Sequence, residues 1–410
     1  MTWLGDPPLM HNAFSHAGRS WHGSPGSSAS NAAAMLARNA PTTPMDRRIP
    51  CIPPGLGESC RVATASQSLP THGARMAAEI AEQPAVWRRL LAGRAAIAAV
   101  AGIIAAARPR FLLFAARGTS DHAALYAKYL TEIVLRRPAG LVSPSTMTAY
   151  GAQPDMRDVL LVAVSQSGGS PDLLRTVEAG RRGGGLTLAV TNNPASPLAQ
   201  AADLHLDVMA GPEQAVAATK SYTAQLLALY LLVDHLRGGA GEAALALPDA
   251  GDALLHSAGP AVQAQAARLR FASRMVVTGR GYAYPTAREA ALKLMETSYV
   301  AAQAFSGADL LHGPLAMLDP HVPVLAVVPG GIAGAAMDQV LQRVRGTRAD
   351  LFVVGSAAAR ADCILPEGTP EELSPLLEIL PFQLMALHLA VARGEDPDAP
   401  RSLRKVTETL

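Results

Sequence analysis

From Arg110 onward, short runs of β-branched or leucine residues alternate with helix-length amphipathic segments, and the same order occurs twice. Residues 111–115, 159–164 and 186–190 read as strands of a first unit, and residues 275–278, 322–328 and 351–354 as strands of a second. Each run is followed by a turn signal and then a helix, the pattern of parallel strands joined by crossover helices. The two units keep one spacing, because Arg117-Gly118 and Arg280-Gly281 lie 163 residues apart and so do Val159 and Val322. Two pairs at one offset with one element order predict a duplicated α/β domain. The expected fold is therefore two similar lobes, each a parallel sheet with helices on both faces in a three-layer αβα arrangement.

With 410 residues, 49% of them apolar, the chain has the material to bury cores of that size. Its 35 basic and 33 acidic side chains leave a net charge of +2, so no bulk electrostatic attraction to nucleic acid or to an anionic membrane is expected. The longest strongly apolar run, residues 95–107, is closed by Arg94 and Arg108 and falls short of the roughly 20 residues a membrane helix needs. Cys51, Cys60 and Cys363 form no C-x-x-C pair, which argues against a disulfide framework or structural zinc and for a reducing, cytoplasmic compartment. No ligand cluster calls for a metal, and no cofactor is expected. Proline, serine and glycine make up a third of residues 1–75, which have no sustained period and are predicted to be disordered. Met76, Ile80, Val86 and Leu90 then open a helical pattern. The domains expected are an extension over 1–75, a first lobe with its leading helices over 76–250, a second lobe over 251–395 and a tail over 396–410.

Only four of the 35 basic residues are lysines: Lys128, Lys220, Lys293 and Lys405. Where arginine serves nearly every need for positive charge, a remaining lysine is a candidate amine, able to lose a proton or to form an imine. Chance retention would look the same. The first lobe carries Ser165-Gln166-Ser167-Gly168-Gly169-Ser170-Pro171 between a strand and a helix. Ser170 suits an N-cap with Pro171 as the first helical residue, and the glycines admit a close ligand approach, together a neutral anion cradle. Thr119-Ser120 forms a second hydroxyl pair after the first strand, although ordinary helix caps would have this appearance too. The second lobe has Pro329-Gly330-Gly331-Ile332 at the matching turn, with no hydroxyl. It carries instead Glu289, Lys293 and Glu296 on one helical face, a pattern shared with surface salt-bridge ladders. His312 follows on a Gly-Pro turn, and Lys405 lies in the tail.

The hydroxyl turn, Val216-Ala217-Ala218-Thr219-Lys220, the segment from Glu289 to Glu296, His312-Gly313-Pro314 and the Lys405 tail stand in an order that resembles the sugar isomerase (SIS) double domain. The resemblance spans residues 76–410 and is to the isomerase half of glucosamine-fructose-6-phosphate aminotransferase. Ala116-Arg117-Gly118-Thr119-Ser120-Asp121-His122 and the ending after Lys405 look most like the stand-alone type II glucosamine-6-phosphate deaminases.

That resemblance implies roles. Thr119, Ser120, Ser165, Gln166, Ser167 and Ser170 would hold the sugar phosphate and nearby hydroxyls, with Val216 and Ala218 offering backbone contacts. Glu296 would move a proton between C1 and C2, His312 would open the pyranose ring, and Lys293 would assist proton transfer. Lys405 would be the tail amine. A homodimer is implied, with His312 serving its own site or its partner's. Ala218 and Asp309 depart from the aminotransferase pattern, which has serine and glutamate there. Residues 1–75 are too short and too polar for a glutaminase domain, so the expected reaction runs toward ammonia release: glucosamine 6-phosphate to fructose 6-phosphate. A fructosamine-6-phosphate deglycase or a glutaminase-less aminotransferase-type isomerase shares these motifs. A non-catalytic sugar-phosphate sensor would have lost the set of Glu296, His312 and Lys405.

Overall fold

The computed structural model describes residues 72–405. The segment 1–71, with Cys51 and Cys60, and the residues after Lys405 lie outside the described residues. Two helices lead in, α1 (Ala74–Ala92) and α2 (Arg94–Ala107). Met76, Ile80, Val86 and Leu90 all face inward on α1, as their helical spacing requires.

The first lobe then runs β1 (Phe111–Ala115), α3 (Thr119–Val134), β2 (Ala139–Leu141), α4 (Pro144–Thr148), β3 (Val159–Ser165), α5 (Pro171–Arg182), β4 (Leu186–Thr191), α6 (Pro197–Ala201), β5 (Leu204–Asp207) and α7 (Lys220–Leu236). A long helix, α8 (Leu247–Leu269), leads to the second lobe. That lobe contains β6 (Arg274–Gly279), α9 (Ala283–Ser298), β7 (Ala301–Ser306), α10 (Gly307–Leu311), β8 (Val324–Val328), α11 (Ile332–Ala335), α12 (Asp338–Gly346), β9 (Leu351–Gly355), β10 (Cys363–Ile364) and α13 (Ser374–Ala392).

Both sheets are parallel and have five strands, in the orders β2-β1-β3-β4-β5 and β7-β6-β8-β9-β10. These are one topology repeated. Even the register is kept: Leu112 pairs with Ala139 and Leu113 with Leu161, and 163 residues on Met275 pairs with Ala302 and Val276 with Val324. The six strands legible in the sequence are the three central ones of each sheet. All four unrecognised strands, β2, β5, β7 and β10, lie at sheet edges. They are short or half-exposed and lack the continuous apolar run that burial on both faces imposes.

One apolar core passes through both lobes, joining Trp87, Leu112, Tyr222, Leu294, Val354 and Phe382, while each lobe's outer helical layer has a smaller core of its own. Helix α13 is apolar around its whole circumference because it is central to that shared core. It is long and apolar enough to cross a membrane, but 78% of its apolar window is buried inside the protein. Buried hydrogen bonds fix α1, α7 and α13 together: Gln83 Nε2 donates to Gln383 Oε1 at 2.7 Å, and Thr223 Oγ1 to Gln83 Oε1 at 2.8 Å.

Candidate active site

The strand order of the first sheet reverses between β1 and β3, so the loops leaving their carboxyl ends diverge and open a crevice. Gly118 ends the β1 loop with φ 55° and ψ −132°, a conformation that only glycine adopts readily, and places Thr119 and Ser120 in the first turn of α3. After β3, Ser165 Oγ accepts the Gly168 N–H at 3.1 Å and Ser167 Oγ accepts the Gly169 N–H at 3.2 Å, which curls the loop. Gly168 has φ 64°, and a Cβ there would lie 2.2 Å from Ser196 Oγ, so no side chain fits. Helix α5 starts at Pro171 with Ser170 in the cap position, but the Ser170 side chain makes no capping hydrogen bond. Ser120 Oγ accepts from Gln225 Nε2 at 3.0 Å, which leaves its own O–H to donate.

These hydroxyls line a cavity of about 390 Å³, shared with Gln166, Val216 and Ala218 and bounded elsewhere by Glu296 and Lys405. Arg117 lines it too, held by Asp172 at 2.6 Å, and brings a cation close to an otherwise neutral cradle. In the sequence Arg117 marked the repeat and formed part of the Ala116–His122 motif, but it was assigned no role.

Helix α9 of the second lobe packs across α3. Thr119 Oγ1 donates to Glu289 Oε1 at 3.0 Å and accepts from Lys293 Nζ at 2.9 Å. Lys293 Nζ also donates to Glu296 Oε2 at 2.5 Å and lies 3.3 Å from Glu289 Oε1. Glu289 and Lys293 are fully buried, so the 289/293/296 pattern is an interior charge array and not a surface ladder. Glu296, 23% exposed, is its outlet into the cavity. Burial opposes the Lys293 charge, yet the Glu289 and Glu296 carboxylates outweigh it and hold its pKa above the ordinary lysine value. Lys293 is thus a fixed ammonium donor. Thr119 lines the cavity as expected, but its hydroxyl is engaged by this array.

The tail closes the other side. Lys405 Nζ donates to Glu213 Oε2 at 2.7 Å and to the Ala215 carbonyl at 2.6 Å. Glu213 also accepts the Thr219 and Ser221 N–H groups, both at 3.0 Å, and the Ser221 hydroxyl at 2.8 Å. Burial raises the Glu213 pKa, but Lys405 and these backbone donors overcome it, and the carboxyl titrates below its ordinary value. Glu213 was missed in the sequence, although it stands three residues ahead of Val216. Lys220, the other motif lysine, is turned away and pairs with Glu82 on α1 at 2.6 Å. Lys128 pairs with Glu132 on α3.

His312 is not brought to this cavity. It follows α10, is exposed, and its Nδ1 donates to the Ala308 carbonyl at 2.8 Å. Of the twelve residues singled out in the sequence, ten line the cavity, Lys293 touches it through Glu296, and His312 stands apart. Among the described residues, no three His, Cys, Asp or Glu side chains converge as a metal ion would require.

Fold and crevice define a duplicated, doubly wound α/β protein with a candidate ligand site at the switch point of the first sheet. The SIS domain family model matches residues 106–234 and 268–393, and the chain belongs to the SIS domain family. It is 36% identical over 352 residues to a glutamine–fructose-6-phosphate aminotransferase (isomerizing) of Thermococcus kodakarensis, covering 80% of this chain and 57% of that protein. The chain spans about half the length of the curated relatives it matches. A candidate phosphosugar isomerase from Silicibacter pomeroyi superposes with a TM-score of 0.72 at 32% identity, covering 79% of this chain and 99% of that one. The C-terminal domain of glucosamine-fructose-6-phosphate aminotransferase from Francisella tularensis does so with a TM-score of 0.69 at 25% identity, covering 81% and 99%.

Proposed function

We propose that the chain is a sugar-phosphate enzyme that converts glucosamine 6-phosphate and water to fructose 6-phosphate and ammonia. The observation that carries this reading is a single cavity with a hydroxyl cradle at one end and a carboxylate and an amine, Glu296 and Lys405, at the other. The phosphate would sit on Ser165, Ser167, Ser170 and Ser120, with Arg117 offsetting part of its charge. C1 and C2 would then lie toward Glu296. As general base, Glu296 removes the C2 proton and returns it at C1, giving an imine at C2. Water adds to that carbon, and ammonia leaves with the C–N bond electrons after proton transfer. The Lys293 ammonium steadies Glu296, and Lys405, released from Glu213, assists at the imine. Because His312 of the same chain is remote, ring opening by His312 calls for a second copy of the chain and hence a homodimer. The test is to incubate the protein with glucosamine 6-phosphate and follow ammonia and fructose 6-phosphate together. Equal release of both is expected; a folded protein that binds the sugar phosphate without turnover rules the deaminase out.

The runner-up is the same isomerisation run toward amino-sugar synthesis with ammonia taken from another source. The identity to aminotransferases favours it. Net formation of glucosamine 6-phosphate from fructose 6-phosphate at low free ammonium, only when a glutamine-hydrolysing partner protein is supplied, would decide for it.

A further inference from the structure

The buried charge array does not stop at Glu289. His122 of α3 places Nδ1 2.7 Å from Glu289 Oε2, with the imidazole 8% and the carboxylate 0% exposed. His122 also forms part of the wall of a second cavity of about 340 Å³, on the side of α9 lined by Arg288 and Met295. A continuous path, His122 to Glu289 to Lys293 to Glu296, therefore joins the second cavity to the first. Resting on the reading of Glu296 as the proton carrier, we propose that His122 is a positioning residue that orients Glu289 and Lys293 and sets, through its own charge, how readily Glu296 takes a proton.

Two carboxylates and one ammonium leave the array with a net charge of −1. A positive charge on His122 would bring the array to neutrality, and low-dielectric surroundings would strengthen its influence on Glu296. The other charged or titratable groups facing His122 and its partner are Asp121 on its own helix, Arg288 and Lys293 on α9, and Tyr222 on α7. Burial, then Glu289 and Glu378, raise the Tyr222 pKa well above the ordinary phenol value, so it adds no charge near neutrality. Asp121 and Arg288 balance one another in sign. His122 is thus the facing group whose charge would alter the net charge of the array.

The test compares His122→Ala and His122→Asn with the unaltered protein, measuring kcat and KM for glucosamine 6-phosphate from pH 5.5 to 9. Loss of a buried hydrogen bond to a charged group should lower kcat in His122→Ala by about tenfold or more, with KM within about threefold. Asparagine supplies an N–H but does not titrate. His122→Asn should recover most of that loss while its acidic limb moves to lower pH. A His122→Ala variant that changes KM alone, or a His122→Asn profile superposable on the parent's, overturns the proposal. A second readout needs no turnover: the His122 imidazole is titrated by NMR in the parent and in Glu296→Gln. Removing the Glu296 charge should lower the His122 pKa, and an unchanged titration overturns the coupling. If the parent lacks turnover but the NMR coupling is present, the reaction assignment fails and the array stands.

Discussion

The two lobes share a strand order and a register, yet only the first presents an open anion cradle. In the first, Ser170 and Ser120 offer free O–H groups at the turns after β3 and β1. Counted 163 residues on, the second lobe has Ala333 and Ala283 at those places. Its helix-start N–H groups are not vacant either: Ile332 donates to Glu371 Oε2 at 2.9 Å and Ala333 to Glu371 Oε1 at 2.8 Å. The second lobe supplies its own carboxylate at the turn where the first lobe has hydroxyls. A parallel sheet with a glycine turn provides a pocket shape, and the side chains around the turn decide whether that pocket is for binding or for stability. What the second lobe brings to the cavity is Glu296 of α9, a helix packed against α3.

The largest expected effect tests that division directly. Glu296→Gln removes the array's outlet, and turnover should fall by about two to four orders of magnitude with sugar-phosphate binding retained, measurable by coupled assay and calorimetry. Loss of binding instead would mean that the lobes do not divide the work in this way.

Next comes an anchor peculiar to α9. Glu378 on α13 accepts from Thr286 Oγ1 at 2.7 Å and from Ser374 Oγ at 2.5 Å, and burial, partly offset by these bonds, pushes its pKa up to about 7. The unfolded chain releases this proton near 4.5. The folded protein therefore binds more protons in between, and stability present below pH 4.5 is lost as pH rises toward 7. The loss is on the order of 3 kcal/mol. Urea midpoints at pH 5 and pH 8 should differ less in Glu378→Gln than in the parent.

The turn glycines offer a matched pair. Gly168→Ala places a Cβ against Ser196 at positive φ, and Gly331→Ala places one 2.4 Å from Glu371 Oε2, also at positive φ. Each should cost about 1–3 kcal/mol of stability. Only Gly168→Ala should also raise KM, by about tenfold; a similar rise in Gly331→Ala would make both turns functional. Smallest is Glu371→Ala, which frees two partly solvated N–H groups and should cost about 1 kcal/mol in denaturation while leaving turnover intact.

Central strands were legible because burial on both faces imposes a continuous apolar run, as in Val159–Ser165. Edge strands such as β2 and β10 carry no such constraint. The hydroxyl turn was legible for a related reason: every group it needs lies within seven consecutive residues. Glu289, Lys293 and Glu296 were visible as a helical face, but a spacing of four and three is common to surfaces and interiors, and only packing against α3 shows that two of the three are buried. Arg117 and His122 lay inside the Ala116–His122 motif but were given no role there, because their partners Asp172 and Glu289 are remote in sequence, and Glu213 lay outside every motif.

By itself, the sequence determined the duplication and the parallel α/β class, and it pointed to the hydroxyl turn and the candidate residues, since periodicity, turn chemistry and motif order are local properties of a chain. Only the tertiary structure decided that Thr119 hydrogen-bonds Glu289 and Lys293, that Lys220 faces α1 while Lys405 meets Glu213, and that His312 lies away from its own chain's cavity. Charge pairing and burial depend on distances between segments that the chain brings together only on folding. For His122 and Glu289 those segments are 167 residues apart.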